Sequence, residues 1–292
     1  MSTPETGFAR MSDAGRQLED AGIDNGRGDA KALIAYAFGD RVPRYALMGV
    51  LKDPLPEDVA ARFEAAIAAR LTRQPVSQII GRRAFWRHDF IVTPDVLDPR
   101  PDTETLVAQA LEEPFTRLLD LGTGSGAIAI SLLAERPQAK GLASDLSAPA
   151  LEVARRNAAA TGVLERLELC QSNWFCAIDG QFDLIVSNPP YISASEMDAL
   201  SPEVRDWEPQ MALTPGGDGL SAYREIAAGA ADHLTPGGWL MVEIGWQQGP
   251  AVSEIFRQHG LEDVSIRHDL DGRDRVVRGR KARIGAKTGQ SG

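Results

Sequence analysis

The chain has 292 residues, 43% hydrophobic and 25% charged, enough to bury a sizeable core and remain in solution. Its opening, MSTPETGFARMSDAG, has no apolar run, and GAIAISLLA from Gly126 is far too short to cross a bilayer, which argues against a secretory signal and a membrane span. The formal charge of −10 is uneven: residues 1–85 hold 12 basic and 11 acidic side chains, the rest 19 and 30, a poor match to nucleic-acid phosphates.

The first 75 or so residues are expected to be helical. ARMSDAGRQLEDAGI has the composition of a helix closed near Gly22. In PEDVAARFEAAIAARL, Val59, Phe63, Ile67 and Leu71 recur every fourth residue, with Ala66 and Arg70 alongside. Pro56 suits its first turn, and Glu57 and Asp58 favour the positive end of the helix dipole. Between roughly 78 and 100 the period becomes two. In FWRHDFIV, Trp86, His88, Phe90 and Val92 are expected on one face and Arg87, Asp89 and Ile91 on the other, as in a strand or hairpin. LDPRPDTE then breaks regular structure with Pro99 and Pro101 and suits a joint between domains.

From residue 116 strands and helices alternate. RLLDLG, AKGLASD, LELCQS, FDLIVSN and GWLMVEIG are the predicted strands, separated by SGAIAISLLAERP, ALEVARRNAAATG and a helix near 219–233. This alternation predicts an α/β fold with a mainly parallel sheet covered on both faces. A further helix leads to DVSIRH and DRVVRG, which lack room for a crossover and should pair antiparallel. The predicted organisation is a helical docking domain over 1–77, a hairpin and proline-rich connector over 78–110, the α/β domain over 111–280, and a polar, disordered tail over 281–292. Cys170 and Cys176 are read as buried, reduced thiols, and the scattered His88, His233, His259 and His268 give no metal spacing, so no metal is expected.

Directly after the first strand of the alternation comes DLGTGSG, with Gly122, Gly124 and Gly126. Such a turn brings backbone N–H groups against a ligand at a helix N-terminus. Asp145 ends the next strand, where a carboxylate can accept from both hydroxyls of a ribose. Nicotinamide-dependent dehydrogenases share this pattern, so alone it does not choose the cofactor. Trp174 lies beyond the third strand and serves equally as a wall for an adenine ring or as a core residue.

SNPPYI, at the carboxyl end of the fourth strand, narrows the chemistry. Pro189 forces Asn188 into an extended conformation. The Asn188 side-chain oxygen and the Pro189 carbonyl can then accept both hydrogens of a planar NH₂ group. Pro190 stiffens the backbone that aims that carbonyl, and Tyr191 offers a flat wall. An amide nitrogen is a poor nucleophile, so holding both of its hydrogens is catalysis by orientation and charge stabilisation. The exocyclic amine of an adenine fits the same grip, although such an enzyme needs a basic track to flip its base.

These stretches together resemble the protein-(glutamine) methyltransferases, class I S-adenosylmethionine-dependent enzymes. The likeness spans roughly residues 70–280 and rests on DPRPDTE at 98–104, LDLGTGSGAIAI at 119–130, Asp145, NWF at 173–175, NPPYI at 188–192, EPQMAL at 208–213 and GGDGLSAYR at 216–224. It implies a Rossmann-like seven-stranded domain preceded by a small helical domain and a β-hairpin connector. It further implies S-adenosylmethionine contacts from Gly122, Thr123, Gly124, Ser125, Gly126, Asp145, Trp174 and Asn188. Asn188, Pro189, Pro190 and Tyr191 would hold the acceptor glutamine, with Asn188, Pro189 and Tyr191 in the catalytic role. The PRPDTE stretch is similar to the branch that modifies the GGQ loop of class I peptide chain release factors, which implies a cytoplasmic monomer with a protein partner and neither membrane nor nucleic-acid substrate. Asp98 departs from the family, where an apolar residue more often precedes Pro99.

Overall fold

The computed structural model describes residues 5–283, so most of the expected tail lies outside the described residues. Two compact units emerge: the chain up to Arg82 together with Ser201–Trp207, and Arg83–Leu200 together with the chain from Glu208 onward.

The first unit is helical. Gly7–Asp20 starts where the Thr6 hydroxyl accepts the Ala9 N–H at 3.3 Å, and its chain turns at Gly22. Gly26–Phe38 follows, a helix the sequence did not single out because glycine at positions 26 and 28 weakens the helical signal. Gly26 is needed for close approach: a Cβ there would lie 2.6 Å from the Gly15 carbonyl oxygen. Glu57–Leu71 buries Val59, Phe63, Ala66 and Ile67 as its spacing predicts, but Leu71 is only half-buried. Arg70 is the buried residue at that end. It pairs with Asp29 at 2.7 Å and with Glu203 at 3.0 Å, which explains how a guanidinium sits in an apolar interior. Ser201–Trp207 is held there also by the Gln78 amide, which donates to the Trp207 carbonyl at 2.9 Å, and by the Trp207 indole, which donates to the Thr72 carbonyl at 3.1 Å.

The second unit opens on a hairpin of β1 (Arg82–Phe85) and β2 (His88–Ile91). Trp86 does not share a face with His88 and Phe90 as expected. It lies in the turn with φ +54°, its N–H donating to Glu104 Oε1 and its indole to Glu135 Oε1. The alternation was interrupted because a two-residue turn consumes Trp86 and Arg87. Phe85 and Phe90 meet edge to face in the core.

The main sheet comprises β3 (Arg117–Leu121), β4 (Lys140–Asp145), β5 (Leu167–Gln171), β6 (Phe182–Ser187), β7 (Leu234–Glu243), β8 (Glu262–His268) and β9 (Asp274–Arg280). Their order is β5-β4-β3-β6-β7-β9-β8, the first five parallel and β9 antiparallel to both β7 and β8. The central strands read as near-continuous apolar runs because both faces are covered. Leu118 packs with Leu132 and Val107 on one face, while Leu119 and Leu121 pack with Tyr223 and Phe256 on the other. Ala148–Thr161 is capped by the Ser147 hydroxyl and ends at Gly162 in the left-handed conformation. Both thiols are free, but Cys176 is exposed and Cys170 half-buried, which corrects the expectation of two buried cysteines. Among the described residues no helix is long and apolar enough to span a membrane.

Candidate active site

The order of connection reverses at β3, whose neighbours are β4 and β6, so a crevice opens beyond the carboxyl ends of β3 and β6. The Ser187 hydroxyl donates to the Leu121 carbonyl at 2.7 Å and ties the two strand ends together. The glycine turn emerges from β3. Thr123 donates its N–H to the Ser144 carbonyl, and Gly126 donates to the Thr123 carbonyl, both at 2.9 Å. Gly126 has φ +82°, and a Cβ there would fall 2.7 Å from Ile130 Cδ1, so the turn cannot carry a side chain at this point. The turn feeds the helix Ala127–Glu135, whose N-terminus faces the crevice.

Asp145 closes the other side. Its Oδ2 accepts the Gly124 N–H at 2.8 Å and its Oδ1 accepts the Ser147 N–H at 2.9 Å, so the carboxylate holds the two loops together. Burial pushes its pKa up against those bonds. Behind the turn, Asp120 is fully buried. Its Oδ2 accepts from the Thr123 hydroxyl at 2.6 Å and from the Ala129 N–H at 3.3 Å, and desolvation lifts its pKa to about 7.

A cavity of about 340 Å³ runs from Gly122–Ser125 and Asp145, past Leu146 and Trp174, to Asn188 and Pro190. This size and mixture suit a small cofactor. Trp174 has φ +48°, an uncommon conformation for a bulky residue, and its ring stands over Gly122. One side of the indole lines the cavity and another packs against the core, so both expected roles have a face here. An acidic group with lone pairs to spare at a strand end, backbone N–H groups at a helix start, and apolar walls fit S-adenosylmethionine. Asp145 and the Gly122–Gly126 turn would hold its ribose and methionyl parts, and Leu146, Trp174 and Met211 would flank its base.

The acceptor loop is only partly on this cavity. Asn188 and Pro190 line it, whereas Pro189 is buried and Tyr191 stands outside the lining. Tyr191 is fixed through its carbonyl, which accepts from the Gln248 amide at 2.9 Å, and burial beside Glu243 pushes its phenol pKa up. Gly219 presses against that same carbonyl and leaves no space for a Cβ.

Sequence reasoning missed several residues here. Thr103 lines the cavity and accepts the Asn188 Nδ2–H at 3.2 Å. Glu243 ends β7 almost fully buried, with burial lifting its pKa to about 7 and its Oε2 left without a hydrogen-bond partner. Arg100 pairs with the buried Glu208 at 2.7 Å, and Asp98, the departure from the family, lies beside that pair. A carboxylate inside the apolar run GWLMVEIG was the one signal available for Glu243.

Asp120, Glu208 and Glu243 are each pushed up to about 7, mainly by burial. The folded chain therefore binds these protons more tightly than the unfolded chain, where such groups titrate near 4. Their contribution to stability is complete below that value and is lost as pH rises through about 7. The melting temperature should rise as the solution is taken from about pH 8 to about pH 5.5, and a fall instead would show the three to be ionised in the folded chain. Among the described residues no cluster of three His, Cys, Asp or Glu is placed to hold a metal.

The sequence also matches known proteins. The model for the methyltransferase small domain matches residues 95–206, and that for the PrmC N-terminal domain matches residues 11–81. The chain is 59% identical over 264 residues to the release factor glutamine methyltransferase of Cereibacter sphaeroides, covering 90% of this chain and 94% of that protein. It is 44% identical over 282 residues to the release factor glutamine methyltransferase of Rhodospirillum rubrum, covering 95% and 86%. A solved methyltransferase from Pyrococcus furiosus aligns with 68% of this chain and 91% of its own, with a TM-score of 0.52 at 20% identity, a likeness of fold.

Proposed function

The chain belongs to the family of release factor glutamine methyltransferases, and we propose that its acceptor is the side-chain amide nitrogen of the GGQ glutamine in class I peptide chain release factors. It is an S-adenosylmethionine-dependent protein methyltransferase. When bound, S-adenosylmethionine supplies an electrophilic sulfonium methyl. Asp145 and the Gly122–Gly126 turn hold the cofactor end of the cavity. Asn188 Oδ1 and the Pro189 carbonyl accept the two amide hydrogens of the glutamine, which aims its nitrogen and stabilises positive charge as it develops. The observation that carries this reading is the presence of Asn188 on the same cavity as Asp145 and the glycine turn. Pro190 stiffens the loop, and Tyr191, its carbonyl held by the Gln248 amide, offers a flat wall beside the acceptor.

A glutamine side chain is too small to supply much specificity, so most recognition energy must come from contacts remote from the amide. We assign that docking to the helical segment over 1–77. The acidic remainder of the chain suits a basic protein loop better than a nucleic acid, and it quickens encounter more than it tightens binding. The enzyme acts in this account as a cytoplasmic monomer. Mass spectrometry of intact factor and of a short GGQ peptide tests the proposal. Methylation should fall on the GGQ glutamine, with kcat/KM at least ~100-fold higher for the intact factor. A methylated nucleic acid with unmodified factor would overturn the acceptor, and equal kcat/KM values would overturn the docking role.

A further inference from the structure

We propose that Trp246 is the surface on which the two glycines before the acceptor glutamine lie, and that it makes the enzyme selective for glycine there. The inference rests on the reading of the acceptor as the GGQ glutamine and names the contact that recognises its neighbours. Glycine offers no side chain to grip, and holding its backbone in one conformation is costly. A flat surface beside the acceptor loop is what such a segment needs.

The NPPYI segment is tied down on two sides. On one, the Ile192 N–H donates to the Leu213 carbonyl at 3.0 Å and the Thr214 hydroxyl donates to the Ile192 carbonyl at 2.5 Å. On the other, Gln248 Nε2 donates to the Tyr191 carbonyl, while Gln248 Oε1 accepts the Gly245 N–H at 3.0 Å and the Tyr223 hydroxyl at 3.2 Å. A Cβ on Gly245 would lie 3.5 Å from Tyr191 Cδ2, so the phenol ring rests on this same loop. Because β7 runs parallel to β6, residues 245–248 leave the sheet at the edge that carries the acceptor segment. The cofactor cavity is lined by Thr214 and Pro215 but not by residues 245–248. In-line displacement puts the nucleophile opposite the departing sulfur, so the acceptor chain arrives from the side away from the cofactor. That is the side of residues 245–248.

Trp246 is the large apolar side chain displayed there, 58% exposed. An isolated exposed apolar residue commonly has no role. Here the backbone that carries it is pinned through both ends of the Gln248 amide, so the indole stands on a fixed base. The other large apolar side chains exposed in the second unit, among the described residues, are placed otherwise: Leu146 and Met211 line the cofactor cavity, and Leu270 lies between β8 and β9. An indole offers a wide, rigid face at low entropic cost. A glycine Cα and its flanking peptide planes can lie against that face, with C–H bonds directed at its negative surface. Alanine at either position puts a methyl group in the way and lifts the chain off the ring. A contact made both before and during methyl transfer acts on binding of the factor more than on the rate of transfer.

The test is steady-state kinetics of the native, Trp246→Ala and Trp246→Phe enzymes on intact release factor and on the same factor with both glycines replaced by alanine. The native enzyme should favour the glycine form by at least ~30-fold in kcat/KM. Trp246→Ala should lower kcat/KM on the glycine form by about 10- to 50-fold, mainly through KM, and shrink the preference to about threefold. Trp246→Phe keeps a flat ring and should stay within about fivefold of the native enzyme. Affinity for S-adenosylmethionine by calorimetry should be the same in all three, because residues 245–248 lie off the cavity. Native kcat/KM in Trp246→Ala overturns the proposal, as does an equal loss on both factors, which would mark a general structural role. A native enzyme that does not distinguish the two factors overturns it as well. Methylation of neither factor by the native enzyme would instead overturn the acceptor assignment, and the role of Trp246 would fall with it.

Discussion

Asn188→Ala is expected to lower turnover on release factor by at least ~100-fold while leaving the fold intact, because it deletes an orienting group and no packing. The side chain is half-exposed on the cavity, and among the described residues it donates to Thr103. Alanine keeps the backbone that Pro189 and Pro190 hold rigid, so the loop should stay in place. What disappears is one of the two acceptors that hold the amide hydrogens. The nucleophilic nitrogen is then free to rotate, and charge developing on it loses a partner. The loss should appear in single-turnover rates at saturating factor and cofactor, with cofactor affinity changed far less. Full turnover by a folded Asn188→Ala enzyme would remove Asn188 from the chemistry.

Asp145→Ala should weaken S-adenosylmethionine binding by about 1.5–3 kcal/mol, the worth of hydrogen bonds to a charged acceptor. That corresponds to about a 10- to 150-fold rise in the dissociation constant by calorimetry. Two effects contribute. The substitution removes the acceptor that would meet the ribose hydroxyls, and it also releases the N–H groups of Gly124 and Ser147 that the carboxylate organises. Asp145→Asn separates them, since its single oxygen can keep one loop contact while the negative charge is lost. Unchanged affinity in Asp145→Ala would exclude this carboxylate from the cofactor site. The two variants should also differ in kind: Asp145→Ala acts on binding of the cofactor, Asn188→Ala on the rate once both substrates are bound.

The alternation of strands and helices from 116 to 280 was legible because each element carries its own period and its own stop signal. RLLDLG, FDLIVSN and GWLMVEIG are apolar throughout because each is covered on two faces, and Gly162 marks a helix end through its positive φ. The antiparallel β8 and β9 followed from loop length alone. Trp86 was misplaced because a two-residue turn leaves no mark when its residues are an aromatic and an arginine. The helix Gly26–Phe38 escaped notice because its close contact with Gly7–Asp20 required glycine where a helix would favour alanine.

By itself, then, the sequence determined the class of fold, the glycine turn with Asp145 after it, and the NPPY loop, since each is written in adjacent residues through backbone restriction and local period. The tertiary structure alone decided that Ser201–Trp207 joins the N-terminal helices through Arg70. It alone joined Thr103 to Asn188, 85 positions away. Buried polar groups find their partners by the closing of the chain in space. Nothing in the period or turn chemistry near Thr103 or Asn188 records which distant side chain will satisfy each one.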